Sequence, residues 1–551
     1  LVFNIKEKNY LLENVEAEIN QLKFFSPFIK IKENNDLLLI NGKINNTEKE
    51  INLEVLNNLL GDVIKSFDLN NLKLTSENEF NFNINKKYKI HDFNLISKIN
   101  LNNAEYKIKL PFLKKYLPNF DDLIKLKNHK ILINYKKNNL DIKGNGNISI
   151  NDALDSLDYE LLIDNSEYKF NTNLNIEKNS ILIEELRYKK NENLKAILKL
   201  QGIYQKNKKI KLNLISLSDN DKNKFLIQGL DLNKKFKISS INLLDFNFVN
   251  NNKIKNQIYL KKENENYKIK GKSFDATKII EDMLSSDNKE LSSIFNNNFN
   301  SNIDIKIDKT YLDNVVFVNN LVGNVNIKNS KINKINLDST FPNKKKLTLT
   351  VNTNKNKEKI TTLYSDYPKP LIKQYKFIKG FQEGVLDFHS INKNGISNSV
   401  LIIDNFKIKE VPVFAKLLTL ASLQGIADLL TGEGIRFTDF EMKFSNKESL
   451  MTIDEMYAIG PAVSIMMEGY IESKKLVSLK GTLVPATTIN RTISSIPLIG
   501  NILVGKKTGE GVFGVSFKIK GPPSSLKTTV NPVKTLTPRF ITRTLEKIKK
   551  N

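Results

Sequence analysis

The chain's nearest approach to a cofactor motif is Gly500-Asn501-Ile502-Leu503-Val504-Gly505-Lys506-Lys507, one residue away from a phosphate-binding loop. That loop needs Gly-Lys followed by Ser or Thr, because its amides wrap the phosphates while the hydroxyl holds a magnesium ion. Lys507 stands where the hydroxyl belongs, and Ile502, Leu503 and Val504 resist the turn conformations of a phosphate nest. No nucleotide site is expected. Other chemistry is as thinly provided. Histidine occurs only at His91, His129 and His389, and cysteine is absent. Disulfides, thiolate metal sites and histidine-based triads therefore lack their components. No glycine-framed serine nucleophile is present either, so the chain reads as a non-enzyme with no cofactor and no bound metal.

With 40% hydrophobic and 26% charged residues in 551, the chain has the composition of a folded protein. Its formal net charge of +25 would suit a phosphate-bearing partner. The same charge follows from a texture of Lys, Asn and Ile, the residues written by A/T-rich codons, and no nucleic-acid-binding module accompanies it. A nucleic-acid partner is not expected. The chain opens LVFNIKEKNY, without an initiator Met or an apolar leader, which reads as a start truncated from a longer protein.

What would have to position any functional side chain is a long succession of strands. Up to about residue 400 apolar and polar residues alternate with period two. Ile210, Leu212 and Leu214 alternate in this way, as do Phe236 and Ile238, and Leu347, Leu349 and Val351. Asn-, Lys- and Asp-rich breaks such as 218–223 and 352–359 read as hairpin loops. Two stretches depart from the pattern. Residues 271–285 pass from a strand ending at Gly271 to a helix capped by Asp275. Residues 411–430 form a second, nearly all-apolar helix, whose Phe414, Leu418, Ala421 and Leu429 make a stripe for capping a β core or facing a membrane. Beyond residue 431 Gly and Pro rise, and the clearest strand carries Phe513, Val515, Phe517 and Ile519. The near-motif at 500–507 becomes a basic loop leading into that strand.

Three stretches in the last part of the chain carry a resemblance: VPVFAKLLTLASLQGIADLLTGEGIRF, GTLVPATTINRTISSIPLIGNILVG and GEGVFGVSFKIKGPPSSLKTTVNPVKTLTPRF. In order and spacing they resemble the C-terminal region of the AsmA-like superfamily of bacterial envelope proteins, in its YhdP-like alphaproteobacterial form. YKIKGKSFDATKIIEDML and SDYPKPLIKQYKFIKGFQEGVLDF resemble the family's middle region. The resemblance implies a mainly β fold, an elongated, curled antiparallel β-sheet groove with a few short helices. It divides the chain into a β-meander segment (1–270), a continuation with the helical insertion near 275–285 (271–400), and a C-terminal region with the helical cap (401–551). It also implies a periplasmic protein, anchored to the inner membrane by an N-terminal helix absent from this chain, that conducts phospholipids between inner and outer membranes. No catalytic motif comes with it.

Elementary physics leads the same way, since a sheet with one apolar face and nothing to cover it must curl on itself or take in apolar ligand. The apolar positions named above are then the candidate groove lining. The alternative is an elongated structural β protein that fills its interior with side chains. Replacing Lys506 with Ala is expected to leave nucleotide affinity unchanged, because none is present. Micromolar ATP binding by titration calorimetry, lost in that variant, would refute the reading of 500–507.

Overall fold

The computed structural model describes residues 2–4, 8–19, 22–46, 69–107, 111–118, 120–137, 139–150, 153–164, 166–205, 209–284, 294–372, 379–410, 434–461, 463–473, 475–485, 515–523 and 525–531. The protein is mainly β with a few short helices. Its contacts divide it into two units, residues 1–262 with 293–296, and residues 263–292 with 297–551.

The first unit is a meander. From Asn9–Ile19 to Lys255–Glu263 each strand of its sheet pairs antiparallel with the strand before it. In such a meander successive connections fall on opposite ends of the sheet. Tight turns such as Asn35-Asp36 and Lys86–Lys89 occupy one end. Among the described residues the other end carries two excursions, one containing helix α1 (Pro111–Tyr116), the other a small separate hairpin pairing Ile181–Ile183 with Tyr188–Lys190. These excursions cover part of the sheet's apolar face. Ile181 and Tyr188 of the hairpin pack with Ala196, Leu217, Phe225 and Phe248, and Leu113 and Leu117 pack against Phe120, Ile148 and Ile150.

Buried polar groups fasten the hairpin. The Asp155 carboxylate accepts from the amides of Glu177 (2.7 Å) and Lys178 (3.1 Å) and from the Asn179 side chain (2.8 Å). Fully buried Lys190 donates to the carbonyls of Asn179 (2.6 Å) and Glu177 (2.9 Å), and burial lowers its pKa. The Tyr188 hydroxyl donates to Asp219 at 2.6 Å.

In the second unit, strands Asn266–Asp275 to Lys527–Asn531 also pair in sequence order, with one difference from the all-antiparallel expectation. Asn266–Asp275 and Ser301–Tyr311 run parallel. A parallel neighbour needs a crossover, and helix α2 (Thr277–Leu284) lies within it. Asp275 caps this helix, its carboxylate accepting from the Thr277 amide at 3.0 Å, and the strand before it runs on past Gly271 to Asp275 itself. Ile280 packs on Leu312, Val318 and Phe341, whereas Ile279 is exposed. A short α3 (Lys369–Ile372) follows the strand Lys359–Ser365. The largest apolar cluster of the unit gathers Phe381, Leu386, Ile403, Phe406, Ile435, Phe437, Val463, Ile465, Leu483 and Phe517. Phe381, Phe406 and Phe437 stack in sequence, with ring centroids 5.3 and 5.2 Å apart. Among the described residues no helix is long and apolar enough to cross a membrane. The helix expected over 411–430 lies outside the described residues.

Removing the Asp155 carboxylate leaves two backbone amides and the buried Asn179 side chain without their acceptor, a loss of about 2–4 kcal/mol. Asp155→Ala is expected to loosen residues 177–195 selectively, read as faster amide hydrogen exchange there. Unchanged protection would show that apolar packing alone holds the hairpin.

Candidate functional site

Residues directly opposite one another on paired strands share a face of the sheet, so the register identifies which apolar positions join. In the second unit a single line of partners crosses every strand. It runs Ile269, Ile305, Gly323, Leu337, Leu349, Leu363 and Phe388. It continues through Leu401, Met442, Met456, Met467, Gly481, Phe517 and Val530. Every member is apolar or glycine. At about 4.8 Å per strand the stripe extends on the order of 60 Å.

The first unit has its own stripe. Leu12, Ile29, Gly42, Phe80, Leu95, Tyr135 and Leu140 are successive partners. Ile163, Tyr168, Tyr204, Ile210, Leu232 and Ile238 complete it. Nearly all members of both stripes are half-buried, neither sealed in a core nor fully in water, and Phe517, at 2% exposed, is an exception. The opposite face is charged, with cross-strand ion pairs such as Lys143–Glu160 (3.3 Å), Lys443–Glu455 (3.8 Å) and Lys480–Glu468 (2.8 Å). Exposed pairs of this kind contribute only tenths of a kcal/mol. Their role is to keep that face wet.

Glycines on the apolar face lie under aromatic rings of the partner strand. Gly42 faces Phe80, Gly144 faces Tyr159, Gly202 faces Phe170 and Gly481 faces Phe517. A Cβ built at these glycines would come within 2.9, 2.3, 2.7 and 2.8 Å of the ring. The missing side chain therefore lets each ring fold flat against the backbone instead of standing up from the sheet. Burial pushes the Tyr159 hydroxyl up to about 12, so it stays protonated. His129 lies in the same way over Gly146, buried, with its Nε2 3.0 Å from the Asn147 carbonyl. Burial lowers its pKa and favours the neutral ring. The sequence alone does not reveal these pairs, because partner identity depends on register.

The positions singled out from alternation divide accordingly. Ile210, Ile238, Leu349 and Phe517 lie in the stripes. Leu347 and Val351 flank Leu349 on the same face, and Val515 and Ile519 flank Phe517. Leu212 shares the face of Ile210, opposite Gly202, but Leu214 does not. An extra residue, Asn213, enters between them as a bulge, so Leu214 pairs with Gln201 and joins the polar side. Phe236 is not in a strand. It occupies a turn, 66% exposed with φ of +59°. Phe513, Phe414, Leu418, Ala421 and Leu429, and the loop 500–507, lie outside the described residues.

Among the described residues no group of three or more His, Asp or Glu side chains is placed to hold a metal ion. Comparison with known proteins finds no family model that matches the chain and no significant match among curated proteins.

Gly144→Val is expected to force the Tyr159 ring off the sheet and to destabilise the first unit by about 1–3 kcal/mol. Gly395, in the tight Asn394-Gly395 turn with nothing within 4 Å, is the control, and Gly395→Asn should change stability by less than about 0.5 kcal/mol. Equal effects in urea unfolding would mean that the rings do not depend on the glycines.

Proposed function

We propose that the chain is a lipid conduit of a double-membrane cell envelope, whose apolar stripes carry the acyl chains of phospholipids passing between inner and outer membranes. The observation that supports this is the unbroken line of apolar cross-strand partners in each unit, half-buried and backed by a charged outer face. It agrees with the groove implied by the resemblance of the C-terminal stretches to AsmA-like proteins.

The energetics suit conduction. Each methylene held off water is worth about 0.8 kcal/mol, so a chain of about 16 carbons is retained by more than 10 kcal/mol. Sideways movement is different. From one strand to the next the chain leaves one aliphatic neighbour for another, and Leu337, Leu349 and Leu363 offer nearly the same environment. A surface with no charged or strongly polar member has no position where an acyl chain would stall. Flat rings over glycine keep such a surface low. No single residue is then indispensable, which fits a function without catalytic groups.

A structural β scaffold is the competing reading, and the cluster around Phe406 and Phe437, each under 4% exposed, is the observation that favours it. A photo-crosslinking residue separates the two. Leu401 lies in the stripe, and Ile402, its neighbour on the outer face, is itself apolar and 37% exposed. In cells, crosslinker at position 401 is expected to give phospholipid adducts and crosslinker at 402 to give few. A Leu349→Asp change should reduce labelling at 401, since a carboxylate in an apolar track costs several kcal/mol. Equal labelling at 401 and 402, or none at either, would leave the scaffold as the better account.

A further inference from the structure

Two turns at one end of the first unit's sheet share a sequence and a conformation. Asn85-Lys86-Lys87-Tyr88-Lys89 follows the strand Leu69–Asn85, and Asn233-Lys234-Lys235-Phe236-Lys237 follows Lys224–Asn233. In the first, the Asn85 side-chain oxygen accepts from the amides of Lys87 (2.9 Å) and Lys89 (3.0 Å), and its carbonyl accepts from the Tyr88 amide (2.9 Å). In the second, Asn233 accepts in the same way from Lys235 (2.8 Å), Lys237 (3.1 Å) and Phe236 (2.9 Å).

This geometry holds the fourth residue in the left-handed region, at +57° for Tyr88 and +59° for Phe236. Glycine and asparagine take that conformation readily; a bulky side chain does so with strain. The same turn at 250–254 and at 354–358 places Lys253 and Lys357 there. Among the described residues every other non-glycine residue with positive φ is polar or charged, so the two aromatic rings are out of pattern. Neither ring is there to pack. Tyr88 is 86% and Phe236 66% exposed.

The surroundings are basic. Lys87, Lys89, Lys234 and Lys235 are exposed, and among the described residues none of the four has an ion-pair partner, whereas Lys86 pairs with Asp36 at 2.5 Å. The strands leading into the two turns run in the same direction in the meander, so both rings stand on the same end of the sheet, about 40 Å apart along it. Strained, exposed rings flanked by lysines match the requirements of a lipid-water interface, where an aromatic body enters the headgroup layer and the ammonium groups reach phosphate. Stacked nucleic-acid bases would call for rings at successive positions, not two isolated ones.

We propose that this end of the first unit docks on the surface of an anionic lipid bilayer, Tyr88 and Phe236 entering the headgroup layer and Lys87, Lys89, Lys234 and Lys235 contacting its phosphates. Both turns stand outside the apolar stripe, and such docking holds whether or not the stripe carries acyl chains. The test is flotation of the purified full chain with phosphatidylcholine vesicles, alone or containing about a third phosphatidylglycerol. Binding is expected only to the anionic vesicles. Tyr88→Asn combined with Phe236→Asn should lower it about tenfold while leaving thermal stability equal or higher, because asparagine suits the left-handed turn. Lys357→Asn, in the same turn of the second unit, should change nothing. Wild-type affinity in the double variant, or equal binding to neutral vesicles, overturns the proposal. So does loss of binding only when the four lysines become Gln, which would make the edge a general polyanion surface.

Discussion

Strand register is the interaction on which the rest of this protein depends. Side chains alternate between the two faces, so a slip of one residue anywhere would turn an apolar stripe outward and bring lysines onto the opposite side. The hydrogen-bond ladders set that register, and tight turns such as Asn394-Gly395, with Lys393 opposite Ile396, pin it locally. Over many strands the apolar face itself becomes the constraint, because any other pairing would leave aliphatic side chains among charged ones. The cross-strand ion pairs of the outer face, weak individually, disfavour the same slips.

A sheet of this kind needs its irregularities as much as its regularity. The bulge at Asn213 changes the face of Leu214, so that Leu212 and Ile215 stay on the apolar side, opposite Gly202 and Leu200. Glycines at Gly42, Gly144, Gly202 and Gly481 let rings lie down where ordinary side chains would prop them up. The excursions of the first unit gather at one end of its strands and cover part of the apolar face with Ile181, Tyr188 and Leu117. The opposite end, bounded by short turns, leaves its aliphatic residues half-buried. Closed packing on one flank and partial exposure on the other is the asymmetry on which the conduit reading rests.

Much of this was legible in the residues alone. Alternation at Leu347, Leu349 and Val351 and at Val515, Phe517 and Ile519 specified strands and their apolar faces, because a period of two has only one regular backbone solution. Asp275 announced a helix start, since its carboxylate satisfies amides that a first turn leaves open. Alternation failed at Phe236, where one turn residue happened to stand two places from Ile238, and at Leu214, where an unseen bulge intervened.

The sequence by itself therefore determined the class of structure and the two-faced character of its strands, both consequences of local backbone geometry. Only the tertiary structure decided which apolar residues meet, that Asn266–Asp275 and Ser301–Tyr311 run parallel, and that Gly481 lies beneath Phe517. Those facts belong to pairings between distant parts of the chain, and no local pattern encodes a partner's position. The same holds for Tyr88 and Phe236. Each is one aromatic among many in the sequence, and the turn geometry alone sets it at positive φ in open water.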